Sequence, residues 1–183
     1  TEDTILYAAA FDANGGVFEP LFGEEDAIIS DALNHASIID GCRLSRAKTI
    51  VYEHGDLDQL EAALKEATGA RRKLIVTETI FSMDGDEARM AAIVDLAEKY
   101  GAMVMVDEAH ATGIFGANGA GLVAILGLGA RVAVQMGTLG KALGGFGAYV
   151  AGSRAQRDLL INRCRSFIFT TSLPPAVMGM AIA

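Results

Sequence analysis

The sequence predicts an α/β fold in which helices cover both faces of a largely parallel sheet. Two observations carry this prediction: short apolar runs recur along the chain, and amphipathic helical patterns alternate with them. The apolar runs contain few polar residues, which is typical of strands that are covered on both faces. With 183 residues, the chain is long enough to form one domain with a substantial core.

Six segments have the length and the apolar content of strands. They are "DAIIS" (26–30), "KTIVYE" (48–53), "KLIVTET" (73–79), "AMVMVDEAH" (102–110), "RVAVQMGT" (131–138) and "GAYVAG" (147–152). Because ligands of parallel α/β sheets bind outside the carboxyl ends of the strands, the residues after each run are the first candidates for a functional site.

Four segments between these strands have helical patterns: "NHASIIDGCRLS" (34–45), "DLDQLEAALKEA" (56–67), "EARMAAIVDLAEKYG" (87–101) and "SRAQRDLLINR" (153–163). Asn34 and Ser153 are the predicted N-caps of the first and last of these helices. The chain stops in a further helix-like run, "PPAVMGMAIA", without a C-cap signal. We therefore expect it to be a piece of a longer polypeptide.

Composition excludes several classes of function. The net charge is −8 and no run of five or more basic residues occurs, which argues against nucleic acid or an anionic membrane as a partner. No uninterrupted apolar stretch reaches the roughly 18 residues of a membrane span. Cys42 and Cys164 lack the spacing of metal ligands, so we expect two reduced thiols in a cytoplasmic protein.

Asp107 follows directly after the predicted strand "AMVMV", and His110 comes three residues later. A carboxylate at such a position must be paired or hydrogen-bonded, because burying it alone is costly. It could simply cap the following turn. A metal site is a second alternative, but no His-x-His or Cys-x-x-Cys spacing supports it, and we expect no bound metal.

Lys141 lies in a glycine-rich, otherwise apolar segment, "VQMGTLGKALGGFG" (134–147). The spacing is not that of a Walker A loop, since Ala142 stands where a magnesium-binding hydroxyl is required, and it is not a G-x-G-x-x-G fingerprint. An amine in an apolar, glycine-lined setting has a lowered pKa and suits Schiff-base formation. Thr138 offers a free hydroxyl to a phosphate. A solvated surface lysine remains the alternative.

Asp107 and Lys141 together are more specific than either residue alone. An aspartate at one strand end and, about thirty residues later, a lysine at another are what a pyridoxal phosphate site needs. The pyridine nitrogen requires a carboxylate, the aldehyde requires a lysine, and the phosphate requires hydroxyls and backbone N–H groups. His35, in "LNHAS", is a candidate for the flat side chain that stacks on the ring.

Five segments carry a resemblance to a known family: "LNHASIIDGCRLSRA", "TETIFSMDGD", "MVMVDEAHATGIFGANGAG", "MGTLGKALGGFGAYVAGS" and "FIFTTSLPPA". In this order they resemble the α-oxoamine synthases, which are fold-type I pyridoxal phosphate enzymes. The resemblance covers nearly the whole chain. It implies a three-layer fold with a mostly parallel seven-stranded sheet and helices on both faces. It also implies condensation of a small amino acid with an acyl-CoA, with loss of the carboxylate.

The resemblance implies a role for each matching residue. Lys141 forms the Schiff base and acts as acid and base at the substrate α-carbon, Asp107 pairs with the pyridine nitrogen, and His110 bonds the 3′-oxygen. His35 stacks on the ring, and Ser82 contacts the cofactor. The implied phosphate ligands are Thr138, the backbone at Ala10 and Phe11, and, in the neighbouring subunit's site, Thr171 and Ser172.

The resemblance also predicts the organisation of the whole enzyme. Residues 1–183 correspond to the large, cofactor-binding domain, and the family's N-terminal segment and C-terminal small domain have no counterpart here. The small domain supplies the arginine for the substrate carboxylate, so we expect the 183-residue piece alone to be inactive. The implied assembly is a homodimer with its site at the interface. An aminotransferase or C–S lyase of the same fold remains an alternative, as does a domain without activity.

Overall fold

The computed structural model describes residues 1–182, and its centre is one seven-stranded sheet. The strands are β1 (Asp3–Tyr7), β2 (Ala27–Asp31), β3 (Lys48–Tyr52), β4 (Lys73–Glu78), β5 (Met103–Asp107), β6 (Val134–Thr138) and β7 (Ala148–Gly152). Their order across the sheet is β1-β7-β6-β5-β4-β2-β3. The strands from β2 to β6 are parallel to one another, whereas β7 runs antiparallel to both of its neighbours, β6 and β1.

Helices connect successive strands as far as β6, and further helices follow β7. They are α1 (Ala10–Leu21), α2 (Ala36–Leu44), α3 (Leu57–Glu66), α4 (Met90–Lys99), α5 (Leu122–Ile125), α6 (Arg154–Arg163), α7 (Arg165–Ile168) and α8 (Pro175–Ile182). The six predicted strands are confirmed to within a few residues, and the four predicted helices are present. Among the described residues, no helix has both the length and the apolar character needed to cross a membrane.

The sheet separates two hydrophobic cores, which confirms the predicted three-layer α/β arrangement. One core packs residues of α3 and α4, such as Leu60 and Val94, against Val104 and Val106 of β5. The other packs residues of α1 and α2, such as Phe18, against Met105. Because successive side chains of a strand point to opposite faces, β5 contributes to both cores and needs apolar residues throughout.

Helix α2 corrects one prediction. Asn34 was the predicted N-cap, but the N-cap is His35, whose Nδ1 accepts a hydrogen bond of 3.2 Å from the backbone N–H of Ser37. Asn34 lies one residue earlier and is buried, and its side-chain amide donates to Ser30 Oγ and to the carbonyl of Val76, both at 2.9 Å. The asparagine therefore joins the loop to β2 and β4 and leaves the cap to the histidine.

The first strand and the first helix were not among the predicted elements. Helix α1 contains two glycines and a proline, which disfavour helix formation locally. Packing explains the second glycine: a Cβ at Gly16 would lie 2.5 Å from Cys164 Sγ. At Gly41 of α2, a Cβ would lie 2.6 Å from a ring carbon of Phe18. The glycines let α1 approach α2 and the Cys164 segment closely. Both cysteines are buried free thiols, as predicted.

Candidate functional site

The candidate site lies at the carboxyl edge of the sheet, where β4, β5 and β6 end side by side. Glu78 and Asp107 are direct partners in the parallel pairing of β4 with β5, and Asp107 pairs with Met136 of β6. Thr138 ends β6, and the loop that follows it carries Lys141. The fold therefore brings together the three strand ends that the sequence singles out.

Asp107 is buried at the centre of this edge, with 4% of its surface exposed. Its Oδ2 accepts a hydrogen bond of 2.7 Å from the Asn14 side-chain amide, and its Oδ1 accepts one of 2.8 Å from the backbone N–H of Ala109. Burial raises the pKa of Asp107, and these two hydrogen bonds oppose the rise. A cation placed against the carboxylate would oppose it further, so the site favours a positively charged partner.

Asn14 is a site residue that the sequence reasoning missed. It is fully buried in α1, and its amide nitrogen also lies 3.0 Å from Ser37 Oγ, which in turn lies 2.7 Å from His35 Nδ1. Its Oδ1 is buried without a hydrogen-bond partner among the described residues. The side chain thus connects Asp107 to the histidine that caps α2. The asparagine lies in the segment "FDANGG", which carries no local signal for a buried site residue.

Lys141 and His110 are in contact, with Nζ and Nε2 2.9 Å apart. The lysine ammonium donates, so the imidazole nitrogen must accept with its lone pair. Burial and the neighbouring Lys141 charge lower the pKa of His110, which favours the same neutral ring. The Lys141 side chain itself is exposed, contrary to the predicted apolar setting, because the glycine-rich loop lies on the surface of this chain.

Thr138 corrects a second prediction, because its hydroxyl is not free. The Oγ1 atom donates to the carbonyl of Gly147 at 3.1 Å and accepts from the backbone N–H of Gly140 at 3.2 Å. The Gly147 carbonyl also accepts from the Leu139 N–H at 2.9 Å. The hydroxyl thus joins the two ends of the loop that contains Lys141. It can donate to a phosphate only if its hydrogen turns away from the Gly147 carbonyl.

His35 lies at the start of α2, near the N-terminus of α1. Its ring and that of Phe11 meet edge to face, with centroids 6.5 Å apart, and Phe11 is half exposed. Ala10 and Phe11 form the first turn of α1, where backbone N–H groups have no partner within the helix and attract anions. The starts of α1 and α2 therefore lie together at the edge of the sheet where the loop with Lys141 follows β6.

Glu78 is the second residue that the sequence reasoning missed. Its side chain is 2% exposed, and its Oε1 accepts a hydrogen bond of 2.7 Å from the backbone N–H of His35. Burial and the nearby Asp107 charge raise the pKa of Glu78 to about 7, although hydrogen bonds from the backbone of His35 and Ser82 oppose this. The carboxylate contacts the backbone of both residues, which were predicted to contact the cofactor.

Three predicted residues lie further out. Ser82 is exposed at the start of the turn after β4. Thr171 and Ser172 are exposed and line a groove of about 490 Å³ along β1, together with Tyr7 and Phe167. The groove is lined by none of Asp107, Lys141 and His110, which form the central group of the site in this chain. This placement agrees with the prediction that they serve another subunit, which stays a prediction.

The residues at the sheet edge fit pyridoxal phosphate. A buried carboxylate that favours a cationic partner suits the ring nitrogen, and the Lys141 amine suits the aldehyde. The unpartnered Asn14 Oδ1 leaves a second acceptor beside Asp107. The His35 ring suits the cofactor's face, and the start of α1 suits the phosphate. We therefore assign these residues as the candidate cofactor site.

Comparison with known proteins agrees with this fold. The family model for "Aminotransferase class I and II" matches residues 1–183. An 8-amino-7-oxononanoate synthase from Anaeromyxobacter sp. (strain K) is 54% identical over 182 residues, which span 100% of this chain and 46% of that protein. The chain thus spans about half the length of the curated relatives that it matches.

Two solved structures share the fold. A serine palmitoyltransferase variant from S. paucimobilis, with pyridoxal phosphate and myriocin bound, has a TM-score of 0.94 at 36% identity and covers 99% of this chain and 46% of its own. The 8-amino-7-oxononanoate synthase from Francisella tularensis has a TM-score of 0.83 at 33% identity, and the match covers 98% of this chain and 51% of that chain. These neighbours confirm the predicted fold-type I architecture. With its whole length matched by the family model, the chain belongs to the aminotransferase class I and II family.

Proposed function

We propose that this chain is the large, cofactor-binding domain of a pyridoxal phosphate-dependent acyltransferase of the α-oxoamine synthase type. The reaction is the decarboxylative condensation of a small amino acid with an acyl thioester to an α-amino ketone. The specific proposal is 8-amino-7-oxononanoate synthase, which joins L-alanine to a pimeloyl thioester in biotin synthesis. Glycine C-acetyltransferase (2-amino-3-ketobutyrate CoA ligase) is the alternative, and an aminotransferase of the same fold is a more remote one.

The observation that carries the proposal is the convergence of Asp107 and the Lys141–His110 pair at one sheet edge. Pyridoxal phosphate, when bound, supplies an aldehyde that captures amines and a ring that withdraws electrons from the α-carbon of the substrate. Asp107 would hold the ring nitrogen in its protonated form. Asn14 keeps this carboxylate in place, because its amide donates to Oδ2.

Lys141 has two tasks in the proposed mechanism. Its amine would hold the cofactor's aldehyde, and later it would move a proton at the substrate α-carbon. His110 contacts Nζ through Nε2, and its surroundings favour the neutral ring, so Nε2 can accept a hydrogen bond from the lysine ammonium. The neighbouring ring therefore helps to orient the amine and offers the lysine proton an acceptor.

The remaining residues would bind the cofactor without chemistry of their own. His35 would cover one face of the ring, and Ser82 would contact the cofactor from the turn after β4. The first turn of α1, at Ala10 and Phe11, and the end of β6 at Thr138 would bind the phosphate. Thr171 and Ser172 would complete the phosphate site of the partner in a homodimer.

The choice between the family members rests on sequence similarity. The segment "FDANGGVFEPLFGEEDAIISDALNHASIIDG" looks like glycine C-acetyltransferase. The segments "GTLGKALGGFGAYVAGS" and "FIFTTSLPPA" look like 8-amino-7-oxononanoate synthase, and the 54% identity to such enzymes over the whole chain supports the latter. The similarity extends through the Lys141 loop, whose residues lie closest to the proposed chemistry.

The test is a panel of acyl-CoA donors with the full-length protein. Acetyl-, succinyl-, pimeloyl- and palmitoyl-CoA are each combined with glycine, L-alanine and L-serine, and release of free CoA is measured. We expect the fastest release with L-alanine and pimeloyl-CoA. Fastest release with glycine and acetyl-CoA would favour glycine C-acetyltransferase. Turnover of keto acids in the absence of any acyl-CoA would exclude the synthase and favour an aminotransferase.

A further inference from the structure

A second cluster of titratable side chains lies next to the candidate site. The His54 ring stands between two carboxylates: Nδ1 is 3.0 Å from Asp31 Oδ1, and Nε2 is 2.9 Å from Asp86 Oδ2. Asp31 ends β2, His54 follows β3, and Asp86 ends the turn after β4. The histidine therefore joins three segments of the chain at the same edge of the sheet.

The geometry requires both ring nitrogens to donate. A carboxylate only accepts hydrogen bonds, whereas a neutral imidazole has one donor and one acceptor nitrogen. With both distances in the range of a hydrogen bond, a neutral ring would direct a lone pair at one of the carboxylates. The ring of Phe81, 4.3 Å from that of His54 between centroids, packs against its side and limits rotation.

The Asp86 contact restrains the turn that carries Ser82. At the base of the turn, the N–H of Phe81 donates to the carbonyl of Asp86 at 3.0 Å, and the carbonyl of Phe81 accepts from the N–H of Gly85 at 2.9 Å. Its first residue, Ser82, contacts the Glu78 carboxylate through its backbone N–H. Its last residue is held by His54. The turn is thus attached to the sheet at both ends.

We propose that His54 is a positioning residue whose two ring N–H groups hold the 82–86 turn against the sheet and so place Ser82 at the cofactor site. Asp31 is the fixed end of this contact: its side chain is 2% exposed, and its carboxylate also accepts from the backbone N–H groups of Leu33 and Gly55. Asp86, whose side chain is 46% exposed, is the movable end. The consequence for the cofactor rests on the proposed function, whereas the restraint of the turn does not.

The restraint depends on pH in a defined direction. Burial lowers the pKa of His54, but the hydrogen bonds to Asp31 and Asp86 outweigh it and raise the pKa above its ordinary value. The other charged or titratable groups around the ring are Tyr52, Glu87 and Arg89, and Arg89 donates to the carbonyl of Gly55. As the pH rises through the pKa of His54, the ring loses one of its two N–H donors. The contact with Asp86, the movable end, is then lost, and this releases the turn.

Hydrogen exchange of the peptide 80–88 in the full-length protein tests the restraint. After correction for intrinsic exchange rates, we expect protection of the turn to fall about tenfold between pH 6 and pH 9, because a charge-assisted hydrogen bond is lost. Asp86→Ala removes the acceptor for the Nε2 N–H of His54 and should give low protection of the turn at both pH 6 and pH 9. Asp86→Asn keeps an oxygen acceptor but not the charge, so the fall should move to lower pH.

Asp84 provides the matched control, because it lies in the same exposed turn and carries the same charge. Asp84→Ala should behave like the wild-type protein. If Asp86→Ala kept the wild-type protection and pH dependence, the proposed restraint would be refuted.

The affinity for pyridoxal phosphate tests the link to the cofactor. Asp86→Ala should bind it several-fold more weakly at pH 6 than Asp84→Ala does. Equal affinities, together with a released turn, would refute the positioning of Ser82. If even the wild-type protein bound no pyridoxal phosphate, the proposed function would fail, whereas the exchange result would still decide whether His54 holds the turn.

Discussion

The side-chain amide of Asn14 donates a hydrogen bond of 2.7 Å to the buried carboxylate of Asp107, which joins the first helix to the end of the fifth strand. The two residues are 93 positions apart in the sequence. Through Ser37, the same amide is connected to His35 at the start of α2. One asparagine thus orients the proposed partner of the pyridine nitrogen and links it to the side chain proposed to cover the ring.

Replacing Asn14 by alanine should destabilise the protein by about 1–3 kcal/mol at neutral pH, because a buried carboxylate loses a hydrogen-bond partner. The pKa of Asp107 is already raised by burial, and it should rise further without this donor. Urea unfolding at several pH values measures the effect. The cost should be greatest where Asp107 is ionised and should shrink as the pH falls.

A double-mutant cycle separates this contact from simple packing. In an Asp107→Asn background the partner is no longer charged, so Asn14→Ala should cost less than it does in the wild-type protein. If the cost of Asn14→Ala were the same in both backgrounds, the hydrogen bond to Asp107 would not be its cause.

Lys141→Ala should abolish the absorbance band of the Schiff base between the protein and pyridoxal phosphate, since the amine that holds the aldehyde is gone. Lys48→Ala is the control: Lys48 is also exposed and pairs with Glu66 at 2.5 Å, far along the sheet in β3. This control should keep the wild-type spectrum. A full-strength band in the Lys141→Ala protein would place the reactive amine elsewhere.

Glu78→Gln should change how stability depends on pH. The folded-state pKa of Glu78 is about 7, against an ordinary value of 4.5. A raised carboxyl pKa means that the folded protein holds the proton more tightly than the unfolded chain does. Protonated Glu78 therefore stabilises the fold fully below about pH 4.5, and this stabilisation is lost as the pH rises to 7. The loss is on the order of 3 kcal/mol. Glutamine does not ionise, so the variant should lose less stability across this range.

Glu19→Gln is the control for Glu78→Gln, because Glu19 is exposed on α1. Its stability profile should follow that of the wild-type protein from pH 4 to pH 8. An identical profile for Glu78→Gln would mean that Glu78 is already ionised well below neutral pH.

His110→Gln should reduce the acid sensitivity of the protein. The pKa of His110 is lowered by burial and by Lys141, so the folded protein resists its protonation. The wild-type protein therefore loses stability as the pH falls below the ordinary histidine value of 6.5. Glutamine accepts no proton in this range, so the acid limb of a thermal-unfolding profile should become flatter.

His54→Gln provides a contrast of opposite sign. The pKa of His54 is raised, so protonated His54 stabilises the fold fully below pH 6.5. This stabilisation is lost as the pH rises through the pKa of His54 in the folded protein. The His54 variant should therefore flatten the alkaline limb of the profile. If both variants changed the same limb, at least one of the two environments would be assigned incorrectly.

Most of the fold could be predicted because its central elements have strong local patterns. Strands β4 and β5 are covered on both faces, and α3 has an apolar stripe with Asp56 as its N-cap. Helix α1 and strand β1 could not be predicted in the same way. The glycines of α1 lower its helix propensity, and the packing role of Gly16 appears only when Cys164 lies against it.

The sequence by itself determined the strand-end positions of Asp107 and Thr138 and the loop position of Lys141, because apolar strands and glycine-rich loops are encoded locally. The tertiary structure alone decided the contacts of these residues. Asn14 reaches Asp107, His110 reaches Lys141, and Thr138 uses its hydroxyl to join the ends of its own loop. It also decided that Glu78 and Asp107 are neighbours. These contacts arise from the pairing of strands and the packing of helices, which join residues far apart in the chain.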